Sequence, residues 1–63
     1  MKFGDLIDGL LILGRYADPE DYISSGHDQI FVGSTDFPLT DDEKAELKKL
    51  GFFPHEDAWS CYT

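Results

Sequence analysis

Two histidines stand beside acids in this chain, at His27-Asp28 and at His55-Glu56-Asp57. Imidazole next to carboxylate is the side-chain chemistry that holds zinc or another divalent ion, and the two segments would make a ligand set if they met in space. The spacing argues otherwise. Neither a CxxC nor an HxxxH pattern is present, and Gly, His and Asp belong equally well in exposed turns. The expectation is no metal and no cofactor. Cys61 is the single thiol. It sits in Trp59-Ser60-Cys61-Tyr62, a strand-like run in which a lone cysteine packs as a small apolar residue. No cation or helix N-terminus is placed to lower its pKa. A chain of 63 residues also has little room for a water-excluded pocket of a few hundred cubic ångströms. The residues therefore point to a protein that is not an enzyme.

What remains is acid. Thirteen Asp and Glu face five Lys and Arg, giving a formal net charge of -8 and a pI near 4.3. Charge this one-sided strains a small compact state by self-repulsion, but it steers the molecule toward positive partners. Direct binding to nucleic acid is disfavoured by sign, since a binder of polyanionic DNA presents a basic patch. The acids are clustered. Asp18, Glu20, Asp21 and Asp28 fall in a stretch free of Lys and Arg, Asp36, Asp41, Asp42 and Glu43 follow, and Glu56-Asp57 forms a third group. The first eight, Asp18, Glu20, Asp21, Asp28, Asp36, Asp41, Asp42 and Glu43, are the candidate partner-binding face. Such a face can imitate the phosphates of a nucleic acid and dock on a basic groove. The competing reading is an interaction module of unknown partner whose acids serve only to keep it in solution.

These residues must be held by few elements. Sixty-three residues make one domain, 1–63, and a chain this short buries only about 60% of its unfolded surface. It is nonetheless 41% hydrophobic, with nine aromatic residues, so a small core is expected. Phe3, Leu6, Ile7, Leu10, Leu13 and Ala17 recur at helical spacing and predict a helix from about Phe3 to Tyr16, ended by Asp18-Pro19. Gly4 and Gly9 weaken it unless Gly9 permits close packing. Tyr22–Ser25 and Gln29–Val32 around Gly26-His27-Asp28 predict a hairpin, with Ile30 and Val32 on one face and Phe31 on the other. Thr40-Asp41-Asp42-Glu43 is a capping box, and Gly51 suits the end of that second helix. Phe52-Phe53 and Trp59–Tyr62 around Pro54–Asp57 predict a second hairpin. The order α-β-β-α-β-β gives an α+β fold, two helices packed on a small antiparallel sheet. Its expected core is Phe3, Ile7, Leu10, Leu13, Ile30, Val32, Leu47, Leu50 and Trp59. The apolar run Leu10–Leu13 is too short to span a bilayer. The N-terminus does not read as a signal peptide. A single cysteine fits a reducing compartment, so a cytoplasmic location in a bacterial host is expected.

The hairpin Tyr22-Ile23-Ser24-Ser25-Gly26-His27-Asp28-Gln29-Ile30-Phe31-Val32, then Leu39-Thr40-x-x-Glu43, Leu50-Gly51-Phe52 and the ending Trp59-Ser60-Cys61-Tyr62-Thr63, resembles a set of very short acidic proteins of bacteria and their phages. In size, charge and layout the chain is also similar to small anti-CRISPR proteins. That resemblance implies a stoichiometric inhibitor, in several cases a DNA mimic. It would block a DNA-binding groove of a CRISPR effector, such as a type I surveillance complex. The motifs that carry it are structural, so it transfers no functional residue.

Overall fold

A computed structural model describes all residues 1–63. The chain runs α1 (Phe3–Gly14), β1 (Ser24–Gly26), β2 (Gln29–Val32), α2 (Asp41–Leu50), β3 (Phe53–His55) and β4 (Ala58–Tyr62). This is the expected α+β order. The four strands form one antiparallel sheet in the order β1-β2-β4-β3. Both hairpins close through two residues, since Gly26 pairs with Gln29 and His55 with Ala58. α2 carries the chain from β2 to the far edge of the sheet, and β4 then returns between β2 and β3. The edge strands are short, and β3 contains Pro54, which offers no N–H for a further strand to pair with.

α2 starts as its sequence dictates. The Glu43 N–H donates to Thr40 Oγ1 (3.1 Å), and the Thr40 N–H donates to Glu43 Oε1 (2.9 Å), completing the capping box. Gly51 ends the helix in the left-handed region, at φ 103°. α1 stops at Gly14, two residues before the expected end. Residues 15–17 tighten into a further turn, with the Tyr16 and Ala17 N–H groups both donating to Leu13 O at 3.1 Å.

The core holds Ile12, Leu13, Val32, Leu39, Leu47, Phe52, Trp59 and Cys61, with Leu6, Tyr16, Ile30, Phe37 and Leu50 packed against it. Strand alternation puts Ile30, Val32, Trp59 and Cys61 on the face that the helices cover. Three expected core residues are corrected. Phe3 is 79% exposed, Ile7 43% and Leu10 39%. α1 is apolar on two sides, and it is turned so that Leu6, Gly9, Ile12, Leu13 and Tyr16 face inward. Gly9 is the reason. A Cβ there would lie 2.8 Å from Phe52 Cδ1 and 2.5 Å from Cζ, so only glycine lets the fully buried Phe52 ring seat against the helix. The other side of the sheet carries Phe31, Phe53, His55 and Tyr62. Beneath them Ser60 is fully buried, accepting from Gln29 Nε2 at 2.7 Å and donating to Ile30 O at 2.9 Å.

Candidate interaction surface

The helices run antiparallel, and this sets where the charges go. At one pole the end of α1 meets the start of α2. Arg15 Nη1 lies 3.1 Å from Glu43 Oε2, and the Tyr16 hydroxyl donates to Glu43 Oε1. Tyr16 also stacks on Phe37, with ring centroids 6.1 Å apart. Glu43 thus receives the Thr40 N–H, the Tyr16 hydroxyl and the Arg15 guanidinium. These donors, the Thr40 N–H first among them, hold its pKa down at about 2. The same contact raises the Tyr16 hydroxyl, chiefly through its hydrogen bond to Glu43. Sequence reading placed Glu43 on the binding face. Its side chain is only 13% exposed and is committed to the junction of the two helices.

The other acids of that pole stand around this junction. Asp18–Asp21 form a self-bonded turn just past α1. The Asp21 N–H donates to Asp18 O, the Glu20 N–H to Asp18 Oδ1, and the Asp18 N–H to Asp21 Oδ2. Asp18 and Asp21 line a groove with Val32 and Gly33, at the end of β2. Asp36 lies in the loop that follows, beside Phe37, and Asp41 and Asp42 occupy the exposed first turn of α2. The β3–β4 turn joins the same pole, because the Thr35 N–H donates to Asp57 O at 3.0 Å. Asp18, Glu20, Asp21, Asp36, Asp41, Asp42, Glu56 and Asp57 are all exposed there. The sequence shows Glu56-Asp57 as a cluster but gives no sign that it joins the others, since the joining bond spans the loop and the turn.

Asp28 does not join them. It sits in the β1–β2 turn at the opposite end of β2, where the Thr63 N–H donates to its carbonyl at 2.6 Å. The length of β2 separates it from the acidic pole by roughly 13 Å, at about 3.3 Å per residue. Lys48 and Lys49 in the last turn of α2 lie at this far pole, as does Lys2 before α1, for the Met1 side chain packs near Gly51. Of the five basic residues, only Arg15, paired with Glu43, and Lys44, one turn into α2, lie outside the far pole.

The same separation parts the two histidine segments, with His27 at the far pole and His55 leading into the acidic one. No group of three or more His, Cys, Asp or Glu side chains is arranged to hold a metal ion. Cys61 is buried in the core, and desolvation pushes its thiol up, away from the thiolate that nucleophilic chemistry needs. No helix is long and apolar enough to cross a membrane. Comparison of the chain with protein-family models, curated proteins and solved structures gives no match.

Proposed function

We propose that this chain is a non-enzymatic interaction protein that docks its acidic pole on a protein with a basic, nucleic-acid-binding surface. The observation that carries the reading is the partition of charge. Eight exposed carboxylates gather at one pole with Lys44 as the one unpaired cation near them, while the other three lysines stand at the opposite pole, where Asp5 and Asp28 offset part of their charge. Charge spread for solubility alone needs no such separation. The resemblance to small anti-CRISPR proteins supplies the most specific form: a phage-derived DNA mimic that blocks the DNA-binding groove of a CRISPR effector.

The test is capture of partners from a CRISPR-bearing host, followed by DNA competition at two salt concentrations. Binding is expected to weaken steeply with salt and to be displaced by duplex DNA. Reversing Asp41 and Asp42 to lysine should abolish it, as should reversing Glu20 and Asp21. Asp28→Lys, at the far pole, should leave it nearly unchanged. Loss of binding with Asp28→Lys equal, charge for charge, to that at the acidic pole would reduce the effect to net charge and sink the reading.

A second reading rests on a different observation. Phe3, Ile7 and Leu11 of α1 are exposed, as are Tyr22 and Ile23 beyond its end, and apolar exposure of this extent marks contact surfaces. An adaptor using that face would bind independently of salt and of the charge reversals.

A further inference from the structure

The outward face of the sheet holds a feature that the acidic pole does not explain. Ser24, Phe31, His55, Glu56, Asp57 and Ala58 line an open cavity of about 350 Å³. Phe31 and His55 form one wall, with ring centroids 5.5 Å apart and planes tilted by 52°. Glu56 and Asp57 stand on the rim, and neither takes part in an ion pair, the fold's only one being Arg15–Glu43. No Lys or Arg lines the cavity. Phe31 is half-buried, with its ring against that of His55. Glu56 is the one residue other than glycine with a positive φ, 55°. A glutamate is poorly suited to that conformation, which glycine adopts freely.

We propose that this cavity is a receptor slot for an arginine side chain of the basic partner. The assignment rests on the acidic-pole reading only for the source of the arginine. The chemistry is that of the slot itself. A guanidinium is planar and weakly hydrated, so it can lie against the Phe31 and His55 rings while its fork of N–H donors meets a carboxylate on the rim. A lysine ammonium brings the same charge but neither the plane nor the fork. The Ser24 hydroxyl, on the neighbouring edge strand, supplies an acceptor to a donor left over. Its rim carboxylates, Glu56 and Asp57, belong to the acidic pole, so one docking event engages the slot and the pole together.

The test is titration of the isotopically labelled protein with two probes, acetyl-Gly-Arg-Gly-amide and acetyl-Gly-Lys-Gly-amide, followed by amide spectra. The arginine peptide should give saturable shifts centred on Ser24, Phe31 and His55 to Ala58. The lysine peptide should bind about fivefold more weakly, the contribution of a planar cation stacked at an exposed site. Glu56→Gly should raise the melting temperature by relieving the backbone while weakening arginine binding. Phe31→Leu keeps an apolar side chain in the sheet and should remove the preference for arginine over lysine. Equal, non-saturating shifts with both peptides would overturn the slot, and so would saturable shifts that ignore both variants. Neither result touches the acidic-pole reading, which stands or falls on partner capture by the Asp41 and Asp42 reversals.

Discussion

Replacing Gly9 with alanine sets two effects of opposite sign against each other. In an exposed helix interior the change should stabilise by roughly 1 kcal/mol, because glycine loses more backbone entropy than alanine on folding. Here the new Cβ would lie 2.5 Å from Phe52 Cζ and 2.8 Å from Cδ1, well inside contact distance. The ring cannot swing away, since Phe52 is 1% exposed and packed in the core. Overpacking a filled site typically costs about 1–3 kcal/mol, and overlap this deep belongs at the upper end. The net expectation is a loss of about 1–2 kcal/mol. For 63 residues the whole stability is on the order of 3–9 kcal/mol, so the loss is easily read in a urea melt. Gly4→Ala is the control, because nothing lies within 4 Å of its Cβ. Lying in the first turn, it should gain at most about 0.5 kcal/mol on the same helix. Adding Phe52→Leu to Gly9→Ala should recover part of the loss. A Gly9→Ala midpoint at or above that of the parent would refute the packing of α1 described here.

Thr40→Ala removes the hydroxyl that accepts the Glu43 N–H and should cost about 0.5–2 kcal/mol, read by urea melts; superimposed curves would mean that the cap adds nothing. Leu47→Ala, at a fully buried site, should cost roughly 2–5 kcal/mol. Leu10→Ala, at a site 39% exposed, should cost well under half of that, and the reverse order would put α1 on its other face. Glu43 titrates at about 2 in the fold, below its ordinary 4.5. Its contribution to stability is therefore complete above about pH 5 and is lost as the pH falls from 4.5 toward 2, where the unfolded chain takes up the proton first. Glu43→Gln should be less stable at pH 7, and its deficit against the parent should shrink through that window; a deficit independent of pH would remove the carboxylate from the account.

Element order was legible because each element is marked locally. The capping box at Thr40 and Glu43, the turn residues between the strands and the alternation of Ile30, Phe31 and Val32 all depend on near neighbours, although both turns are tighter than the expected Gly26–Asp28 and Pro54–Asp57 connections. The rotation of α1 was not legible. Phe3, Ile7 and Leu10 make as good an apolar stripe as Leu6, Ile12 and Leu13, and glycine at position 9 lowers the apparent hydrophobicity of the side that is buried. What decides is the Phe52 ring, 43 residues away in sequence. The acidic pole was half legible for the same reason. Clustering identified the acids, but the groups are joined by Arg15 with Glu43 and by Thr35 with Asp57, and local patterns carry no sign of either contact. Those contacts bring Glu56 and Asp57 in, leave Asp28 out, and turn Glu43 inward.

The partition of charge along a body 28 Å in its longest dimension also makes the molecule an electric dipole, with a moment that adds to its net charge. In the field of a positive groove such a body feels a torque as well as a pull. At physiological salt the field reaches only about 8 Å, so the torque acts in the last nanometre of approach. Approaching such a groove, the molecule would turn end-on before it touched. Much of the rotational search that slows ordinary protein association would then be avoided, and the gain would appear in the association rate more than in the lifetime of the complex. Reversing Asp28 adds to that moment while making the net charge less negative. The two contributions can therefore be separated in one molecule, by following association rates as the ionic strength is raised.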